Sequence, residues 1–352
     1  MKSNFQCYGR PILFIGLLIW FVTGSIDAGS RSDLLQKIQS QYRSISPATG
    51  AKNSPELPNS GGEIYKKNGG ANTVSYDFIL DKTVGGYGSL ADRFNCPSGI
   101  ACDARYIYVA DKRNNRIVKL GHQFGSWDSI RITNESGIQL NYPDNVTLVG
   151  SNIVVSDSMN HRLVQFRDTG EYVGQVGELG ILPGNFDTPR GVAQNSRRET
   201  LVCDSMNNRI QAFDDRGVFL YDWGQIGPEP ETLVSPVDLV ILKDDSVAVT
   251  DAATHCVKLF SQNGIWLETL FGQTPSGNAI TLESPAGIAV DDLGTLFVAD
   301  TAGNQVVAVS LTGRMVGVIS TPSPMDVACW GDWVFVTNVD RHTVSKYRRT
   351  IL

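Results

Sequence analysis

The chain lacks the features of several common protein classes. It has no excess of positive charge, because 36 Asp and Glu residues outnumber 30 Lys and Arg residues and the net charge is −6. A general nucleic-acid-binding surface depends on an excess of positive charge, so we expect no nucleic-acid partner. The sequence also lacks a Cys-x-x-Cys pair and a Gly-x-Ser-x-Gly motif. These absences argue against a cysteine-based zinc site and against the nucleophile elbow of serine hydrolases.

The N-terminal apolar segment is too short to span a bilayer. It covers Ile12–Val22, whereas a membrane-spanning helix needs roughly 20 apolar residues. Lys2 and Arg10 precede it, and small residues from Gly24 to Ala28 follow it, a pattern typical of a secretory signal peptide. We therefore predict that residues 1–28 are a signal peptide, that the mature chain has no membrane span and that the protein is secreted. An uncleaved signal anchor is the alternative.

Residues 29–73 show little apolar pattern. The stretch from Ser46 to Thr73 is rich in Ser, Gly, Asn, Pro and Lys. Such a composition cannot bury enough apolar surface to offset the entropy lost on ordering. We predict a disordered linker over 29–73, with at most a short helix over Asp33 to Tyr42.

From residue 94 onward the sequence repeats itself. Each unit contains an apolar stretch that ends in Asp or Asn, a turn, a third strand such as RIVKL, and in most units a Gly turn with a fourth apolar stretch. Four strands in a repeat of about this length are typical of a β-propeller blade, and radial packing buries the faces of the blades. A solenoid or a sandwich is the alternative. The proline that opens each unit recurs six times: Pro97, Pro143, Pro189, Pro236, Pro285 and Pro324.

The sixth unit ends at the C-terminus after its third strand. The segment Ser75 to Gly88 precedes the first unit and has the pattern of a fourth strand. We predict that it pairs with the strand around Thr343 to Tyr347 and closes the ring, which removes a free sheet edge. The prediction is an all-β chain in which residues 74–352 form a six-bladed β-propeller of four-stranded blades, with the ring closed by an N-terminal strand.

Several stretches resemble the NHL-repeat family over about residues 75–350. They are CPSGIACD…IYVADKRNNRIVKL, SDSMNHRLVQF, TPRGVAQ…CDSMNNRIQAF and SPAGIAVDDLGTLFVADTAGNQVV. The resemblance implies a six-bladed propeller. It also raises RNA binding, as in intracellular TRIM-type members, against which the predicted signal peptide and the acidic charge argue. The fourth unit departs from the pattern at Thr254, His255 and Cys256, and the sixth has Asn338 where the Asp belongs.

A repeated Asp ends the second strand of five units. We predict that its carboxylate accepts backbone N–H bonds in the following turn, although a ring of ligand-binding carboxylates is the alternative. These residues are Asp111, Asp157, Asp204, Asp251 and Asp300. Three units carry an Arg five residues later, which we expect to pair with a neighbouring turn Asp and join adjacent blades. The alternative is a partly exposed basic arc made by Arg116, Arg162 and Arg209.

The chain is also similar in outline to the peptidylglycine-amidating lyases, six-bladed propellers that hold zinc with histidines near the axis. In that family the ligand histidines follow the repeat-opening proline. The corresponding positions here are Ser98, Asp144, Arg190, Val237, Ala286 and Met325. None is His, so we expect no such metal site, no cofactor and no catalytic residue. Three histidines share one turn position in alternate units, and we expect them to lie too far from the axis to share an ion. They are His161, His255 and His342.

Two further features concern modification. Asn134 and Asn145 each begin an Asn-x-Ser/Thr sequon and are predicted glycosylation sites. Asn145 stands at the start of an inner strand, where burial would block the modification. Cys102 and Cys329 share one repeat position in the first and sixth units, so either a disulfide pins the ring shut or both are free buried thiols.

A complete scaffold without a catalytic constellation predicts a secreted, non-enzymatic module that binds a protein or peptide. We expect the ligand on the face made by the second-to-third and fourth-to-first strand connections. The alternatives are a lyase or hydrolase with an atypical axial metal, and an RNA-binding NHL domain. The candidate binding residues are the axial Asp144, Arg190, Asp238 and Met325, and the turn residues Asn160, His161, Asn207 and Asn208.

Overall fold

A computed structural model of the chain describes residues 75–125, 127–130, 137–227, 229–272 and 280–352. The predicted signal peptide, the linker with its short helix and the Asn134 sequon lie outside these residues. No helix in the described part of the chain is long and apolar enough to cross a membrane. The helices described there are four single-turn 3-10 helices, at Lys112–Asn114, Ser158–Asn160, Ser205–Asn207 and Ala252–Thr254.

The strands form six four-stranded antiparallel sheets, which we number as blades 1 to 6. Blade 6 takes its outer strand from the start of the described chain, β1 (Tyr76–Gly85). Blade 1 contains β2 (Pro97–Cys102), β3 (Tyr106–Asp111), β4 (Arg116–Gly121) and β5 (Trp127–Ile130); blade 2 contains β6 (Pro143–Val149), β7 (Asn152–Asp157), β8 (Arg162–Arg167) and β9 (Tyr172–Val176); blade 3 contains β10 (Pro189–Gln194), β11 (Thr200–Asp204), β12 (Arg209–Phe213) and β13 (Phe219–Trp223). Blade 4 contains β14 (Pro236–Ile241), β15 (Val247–Asp251), β16 (Cys256–Phe260) and β17 (Trp266–Gly272); blade 5 contains β18 (Pro285–Val290), β19 (Leu296–Asp300), β20 (Gln305–Val309) and β21 (Met315–Ser320); blade 6 continues with β22 (Pro324–Trp330), β23 (Trp333–Asn338) and β24 (Thr343–Ile351).

The six-bladed β-propeller prediction is confirmed. Each blade begins at its proline on the innermost strand, where a missing N–H is tolerated because no further strand of the sheet lies inside it. In blade 6, β1 pairs antiparallel with β24, from Tyr76 opposite Ile351 to Gly85 opposite Thr343. Both chain segments therefore contribute to one sheet.

The apolar core lies between neighbouring blades. The second strand of each blade is buried on both faces, which explains its runs of β-branched and aromatic residues, such as YIYVA and LFVA. Six clusters of buried side chains fill the six interfaces, and they differ in size. Between blades 4 and 5 the cluster has 13 described buried members, from Leu242 to Val309. Between blades 2 and 3 it has six, from Val154 to Phe213.

Candidate functional site

The face that carries the second-to-third turns and the connections between blades is here called the connector face. Each repeated Asp lies on it, and Asp111, Asp157 and Asp204 are fully buried. Asp111 Oδ1 accepts the N–H of Asn95, 2.7 Å away, and its Oδ2 accepts the side chains of Asn114 and Arg116. The turn prediction therefore needs a correction. The backbone donor lies in the connection that enters the blade, not in the turn that follows the Asp.

The arginines also pair differently from the prediction. Arg116 bonds Asp111 of its own blade at 2.7 Å, and Arg162 and Arg209 bond Asp157 and Asp204 of theirs at 2.8 Å. The short turn places the two side chains directly opposite each other at the strand ends, so the nearest carboxylate is in the same blade. The guanidinium groups then reach carbonyls of the incoming connection. They join each blade to its entry loop and not to a neighbouring turn.

Adjacent blades are joined by a different residue, at the left-handed position that ends each second-to-third turn. The position is Asn in odd blades and His in even blades: Asn115, His161, Asn208, His255, Asn304 and His342, with φ of 52 to 56°. Asn and His adopt this conformation more readily than most residues. Asn115 Oδ1 accepts the N–H of Tyr142 at 2.9 Å, and His342 Nδ1 accepts that of Cys96 at 3.0 Å. Tyr142 and Cys96 immediately precede the proline of the next blade.

The same odd–even alternation governs the centre of the ring. The second residue after each proline is Gly in the odd blades (Gly99, Gly191 and Gly287) and polar in the even blades (Asn145, Asp238 and Asp326). A Cβ on Gly191 would overlap Asp238 Oδ1, and one on Gly287 would overlap the Asp326 carboxylate. The carboxyl groups of Asp238 and Asp326 therefore occupy the space that Gly191 and Gly287 leave open, whereas the backbone of blade 2 fills the space beside Gly99.

The axial carboxylates are held by backbone donors of the next odd blade. Asp238 Oδ2 accepts the N–H of Ile288 at 3.0 Å, and Asp326 Oδ2 accepts that of Ile100 at 2.8 Å. Asn145 Nδ2 lies 3.3 Å from Asp238 Oδ1, which continues the network across the channel. The axial polar groups thus bond blade to blade and leave little capacity for a ligand.

The axial carboxyls differ in their electrostatics. Burial raises the pKa of Asp238 to about 7, against the effect of its backbone hydrogen bonds. Burial, followed by repulsion from Asp238, raises the pKa of Asp326 well above its ordinary value. For Asp144, burial alone would raise the pKa, but Arg190 and Lys112 hold it below its ordinary value. Lys112 Nζ lies 2.8 Å and Arg190 Nε 3.1 Å from Asp144 Oδ2.

These groups surround a small cavity on the axis. Asp144, Arg190, Asp238 and Met325, the four axial candidates, all line it, together with Asp326. Its volume of about 10 Å³ is the size of one water molecule, far below the several hundred Å³ of a typical small-molecule pocket. In the described part of the chain, no group of three or more His, Cys, Asp or Glu side chains could hold a metal ion.

The predicted turn residues lie on the connector face, but their side chains serve the fold. Asn160 Nδ2 donates to Asp157 at 2.8 Å and to the Gln139 carbonyl at 3.0 Å, and Asn207 does the same with Asp204 and Gly180. Asn208 Oδ1 accepts the N–H of Ser235, and His161 Nδ1 accepts that of Thr188. A ligand on this face would contact the exposed edges of these side chains.

The two modification candidates inside the described ranges are largely enclosed. Asn145 is partly buried, and its amide nitrogen faces Asp238. Cys102 and Cys329 are free, although the Cys102 thiol donates to the Cys329 carbonyl at 3.4 Å. Burial, with a smaller contribution from Asp103, raises the pKa of Cys102 to about 12, which leaves little reactive thiolate at neutral pH.

Asp326, Lys112 and the axial role of Asn145 were not predicted from the sequence. A usable signal was the alternation itself. It recurs before the strand-end Asp or Asn, where odd blades have Ala110, Cys203 and Ala299 and even blades have Ser156, Thr250 and Thr337. Thr250 Oγ1 donates to the Ala286 carbonyl and Thr337 Oγ1 to that of Ser98, both at 2.6 Å. Hydroxyls thus appear in the same blades as the axial polar groups.

The fold places the chain among the six-bladed β-propellers. No protein-family model and no curated protein sequence matches it. Among solved structures it is similar to virginiamycin B lyase from Staphylococcus aureus, with 12% identity and a TM-score of 0.56 over 77% of this chain and 99% of that one. A Bacteroides thetaiotaomicron protein of unknown function has 12% identity and a TM-score of 0.62, over 79% and 76% of the two chains.

A third similar structure is a chain of a nidogen–laminin complex. It has 17% identity and a TM-score of 0.52, over 71% of this chain and 94% of that one. At these identities the likeness concerns the fold alone. The similar structures include a lyase and a chain from a protein–protein complex. The fold alone therefore does not distinguish catalysis from binding, and the residues of the site have to be considered.

Proposed function

We propose that this protein is a secreted, non-enzymatic propeller of the NHL-repeat kind that binds a protein or peptide on its connector face. The observation that carries the proposal is a set of exposed apolar side chains on rigid loops of that face. Two connections enter blades 1 and 3 with the same architecture, here called the connector loops, at 86–96 and 177–188. Leu90 and Leu182 project from them with exposures of 70% and 56%.

Each connector loop is held in shape from below. In the first, the N–H of Phe94 donates to the Gly86 carbonyl at 2.9 Å, and the Phe94 ring is fully buried. In the second, the N–H of Phe186 donates to the Glu178 carbonyl at the same distance. The repeated arginines complete the support. Arg116 Nη2 bonds the Leu90 carbonyl at 2.8 Å, and Arg209 Nη2 bonds the Leu182 carbonyl at 3.1 Å.

Rigid exposed apolar groups suit protein recognition. Exposed apolar patches often mark interaction surfaces, and a preformed loop loses little conformational entropy when it binds. Tyr87, Leu179 and Ile226 add further exposed apolar surface on connections of the same face. The small axial cavity also supports binding over catalysis, because a space of about 10 Å³ cannot admit an organic substrate.

The test is a peptide-display selection against the full chain, followed by affinity measurements on the recovered peptides. The variant Leu90→Glu/Leu182→Glu should weaken binding by about tenfold or more, as loss of apolar anchors at an interface does. The matched control is Leu220→Glu/Leu267→Glu, two leucines on outer strands with exposures of 43% and 41%. The control should bind as the wild type does. Equal losses in the two variants would contradict the proposal.

A second candidate function, a lyase or hydrolase centred on the axis, is favoured by one observation. Asp238 has a pKa raised to about 7 by burial, and strongly shifted carboxyls are frequent in catalytic sites. The purified protein should carry no stoichiometric zinc or calcium under the binding proposal. Turnover of a lactone or of virginiamycin B that is lost in Asp238→Asn would favour the enzyme.

A further inference from the structure

A large cavity lies between blades 2 and 3, away from the connector face. Its volume is about 620 Å³, within the range of pockets that enclose small organic ligands. It is lined by the hairpin at Gly150, by β8 and β9 of blade 2, and by the hairpins of blade 3 near Arg198 and Arg216. We call this cavity the interblade pocket. It lies beyond the proposed function, because those hairpins are at the opposite end of the strands.

The interblade pocket has a local cause in the sequence of blade 2. In each blade, a row of three side chains on the second, third and fourth strands faces the next blade. In blade 2 the row is Val154, Gln165 and Gly174, without an aromatic residue. A Cβ on Gly174 would meet no atom within 4 Å. The surface of blade 2 is therefore recessed where blade 3 faces it.

The equivalent row of blade 5 shows how such a recess is normally filled. That row is Phe297, Ala308 and Gly317, so its third residue is also glycine. A Cβ on Gly317 would lie 2.7 Å from the ring of Phe78, which belongs to β1 of blade 6. The Phe78 ring meets Phe297 edge-on, with their centroids 6.0 Å apart.

Blade 3 cannot supply an aromatic residue in the same way. In blade 6, β1 and β24 remain paired for four residues beyond Leu80, from Ile79 back to Tyr76. In blade 3 the chain instead reverses through the 214–218 hairpin, directly before Phe219. The side chain that would correspond to Phe78 is absent from blade 3. The interblade pocket thus includes the space that an aromatic ring fills between blades 5 and 6, and no described residue enters that space.

The lining defines the chemistry of a ligand. Val154, Leu163 and Phe213 provide apolar walls. The amide of Gln165 lines the pocket and makes no hydrogen bond to any other described residue, so it offers an uncommitted polar contact inside. A ligand with an apolar ring and one inward hydrogen-bonding group would satisfy both features.

Two arginines and two aspartates lie at the mouth of the interblade pocket. The guanidinium of Arg216 pairs with no described residue, and Arg198 approaches Asp215 only at 4.0 Å with most of its side chain exposed. The nearby Asp214 is already occupied, because it accepts the N–H groups of Arg216 and Val218 at 2.9 and 2.8 Å. Asp215 also lines the pocket, so its two arginines are balanced by two carboxylates. Neither guanidinium makes a hydrogen bond to a described residue, so the N–H groups of both arginines remain available to an anionic group.

We propose that the interblade pocket binds a small aromatic carboxylate, with its ring against the recess at Gly174 and its carboxylate between Arg198 and Arg216. The ring takes the place that Phe78 holds in the blade 5–6 interface. The two guanidinium groups select an anion over the neutral amide of the same shape, since Arg pairs with a carboxylate in a charge-assisted geometry.

Naphthoate and neutral naphthamide serve as the probes, with binding to the full chain measured by calorimetry. Naphthoate should bind at one site per chain and more tightly than naphthamide. The variant Gly174→Trp fills the recess and should lower the naphthoate affinity by about tenfold or more. Arg198→Gln/Arg216→Gln should lower it by about threefold for each exposed charge removed, and should leave naphthamide binding unchanged.

Two controls separate this proposal from the others. The connector-loop variant Leu90→Glu/Leu182→Glu should bind naphthoate as the wild type does, so failure of one proposal leaves the other standing. Far-ultraviolet circular dichroism and urea unfolding check that Gly174→Trp is folded, and the arginine variant provides an independent answer if it is not. Unchanged naphthoate affinity in folded Gly174→Trp, equal affinity for the two probes, or no binding to the wild type would each overturn the proposal.

Discussion

Glycines create space at two places in this propeller, and the two spaces have opposite outcomes. At the axis, Gly191 and Gly287 leave room that Asp238 and Asp326 of the next blade fill to contact distance. Between blades 2 and 3, Gly174 leaves room that no described residue enters. A glycine at a blade interface therefore marks either a close approach of the backbone or an open site, and only the opposite surface decides which.

The difference also separates structural roles from functional ones. At the axis, the carboxyl groups of Asp238 and Asp326 accept hydrogen bonds from backbone N–H groups of neighbouring blades. The interblade pocket and the connector loops instead expose side chains that make no such contacts within the fold, namely Gln165 in the pocket and Leu90 and Leu182 on the loops. Four predictions test this contrast, from the largest expected effect to the smallest.

The strongest test of the filled axis is Gly287→Ala. The new Cβ would overlap the Asp326 carboxylate and approach the Asp326 Cα to 2.6 Å, and a backbone atom cannot move aside cheaply. We expect the free energy of unfolding to fall by about 3 kcal/mol, a large cost for an overpacked site. Urea unfolding followed by tryptophan fluorescence measures it. A loss no greater than that of Gly174→Ala would show that the axis is loosely packed.

The second prediction concerns the pH dependence of stability. Asp238 has a folded-state pKa raised to about 7 by burial, compared with about 4 for an unfolded Asp. The folded state therefore holds its proton over a range where the unfolded state has lost it. The stability from this group is complete below about pH 4 and is lost as the pH rises towards 7.

The variant Asp238→Asn removes this titration and copies the Asn145 that blade 2 carries at the same repeat position. Its free energy of unfolding should therefore decline less than that of the wild type between about pH 4 and 7. Urea unfolding of both proteins across that range provides the comparison. Parallel pH profiles would mean that Asp238 titrates in the folded protein as an ordinary carboxyl does.

A smaller effect is expected from Gly317→Val in blade 5. The added side chain meets the Phe78 ring and the Tyr76 backbone carbonyl of β1, across the interface between blades 5 and 6. Because a ring can move more easily than backbone, we expect a loss of about 1–2 kcal/mol in unfolding free energy. Thermal and urea unfolding check this value. A neutral effect would remove the contrast with blade 2.

The smallest effect is expected from the matched change Gly174→Val in blade 2. Its Cβ meets open space, and Val suits a strand better than Gly does. The free energy of unfolding should stay within about 0.5 kcal/mol of the wild type or rise slightly. Destabilisation as large as that of Gly317→Val would indicate that the interblade pocket is closed in solution.

Sequence reasoning predicted the ring because six prolines and six strand-end Asp or Asn residues recur at blade spacing. It also predicted that Asp144, Arg190, Asp238 and Met325 lie at the axis, because residues one or two positions after the proline belong to the innermost strand of each blade. It assigned the wrong partners to Arg116 and Asp111. The short turn sets Arg116 opposite Asp111 of its own blade, and the shape of the incoming loop decides which backbone N–H reaches Asp111. The interblade pocket was beyond its reach, since it depends on where blade 3 reverses its chain relative to Gly174.

The central claim is that the connector face binds the ligand while the axis serves the fold. Hydrogen–deuterium exchange of the full chain, with and without a selected peptide, tests it most directly. The account predicts slower exchange in the connector loops 86–96 and 177–188, and unchanged exchange in the inner strands and around the interblade pocket. Protection confined to the axial strands or to β8 and β9, with the connector loops unchanged, would contradict it.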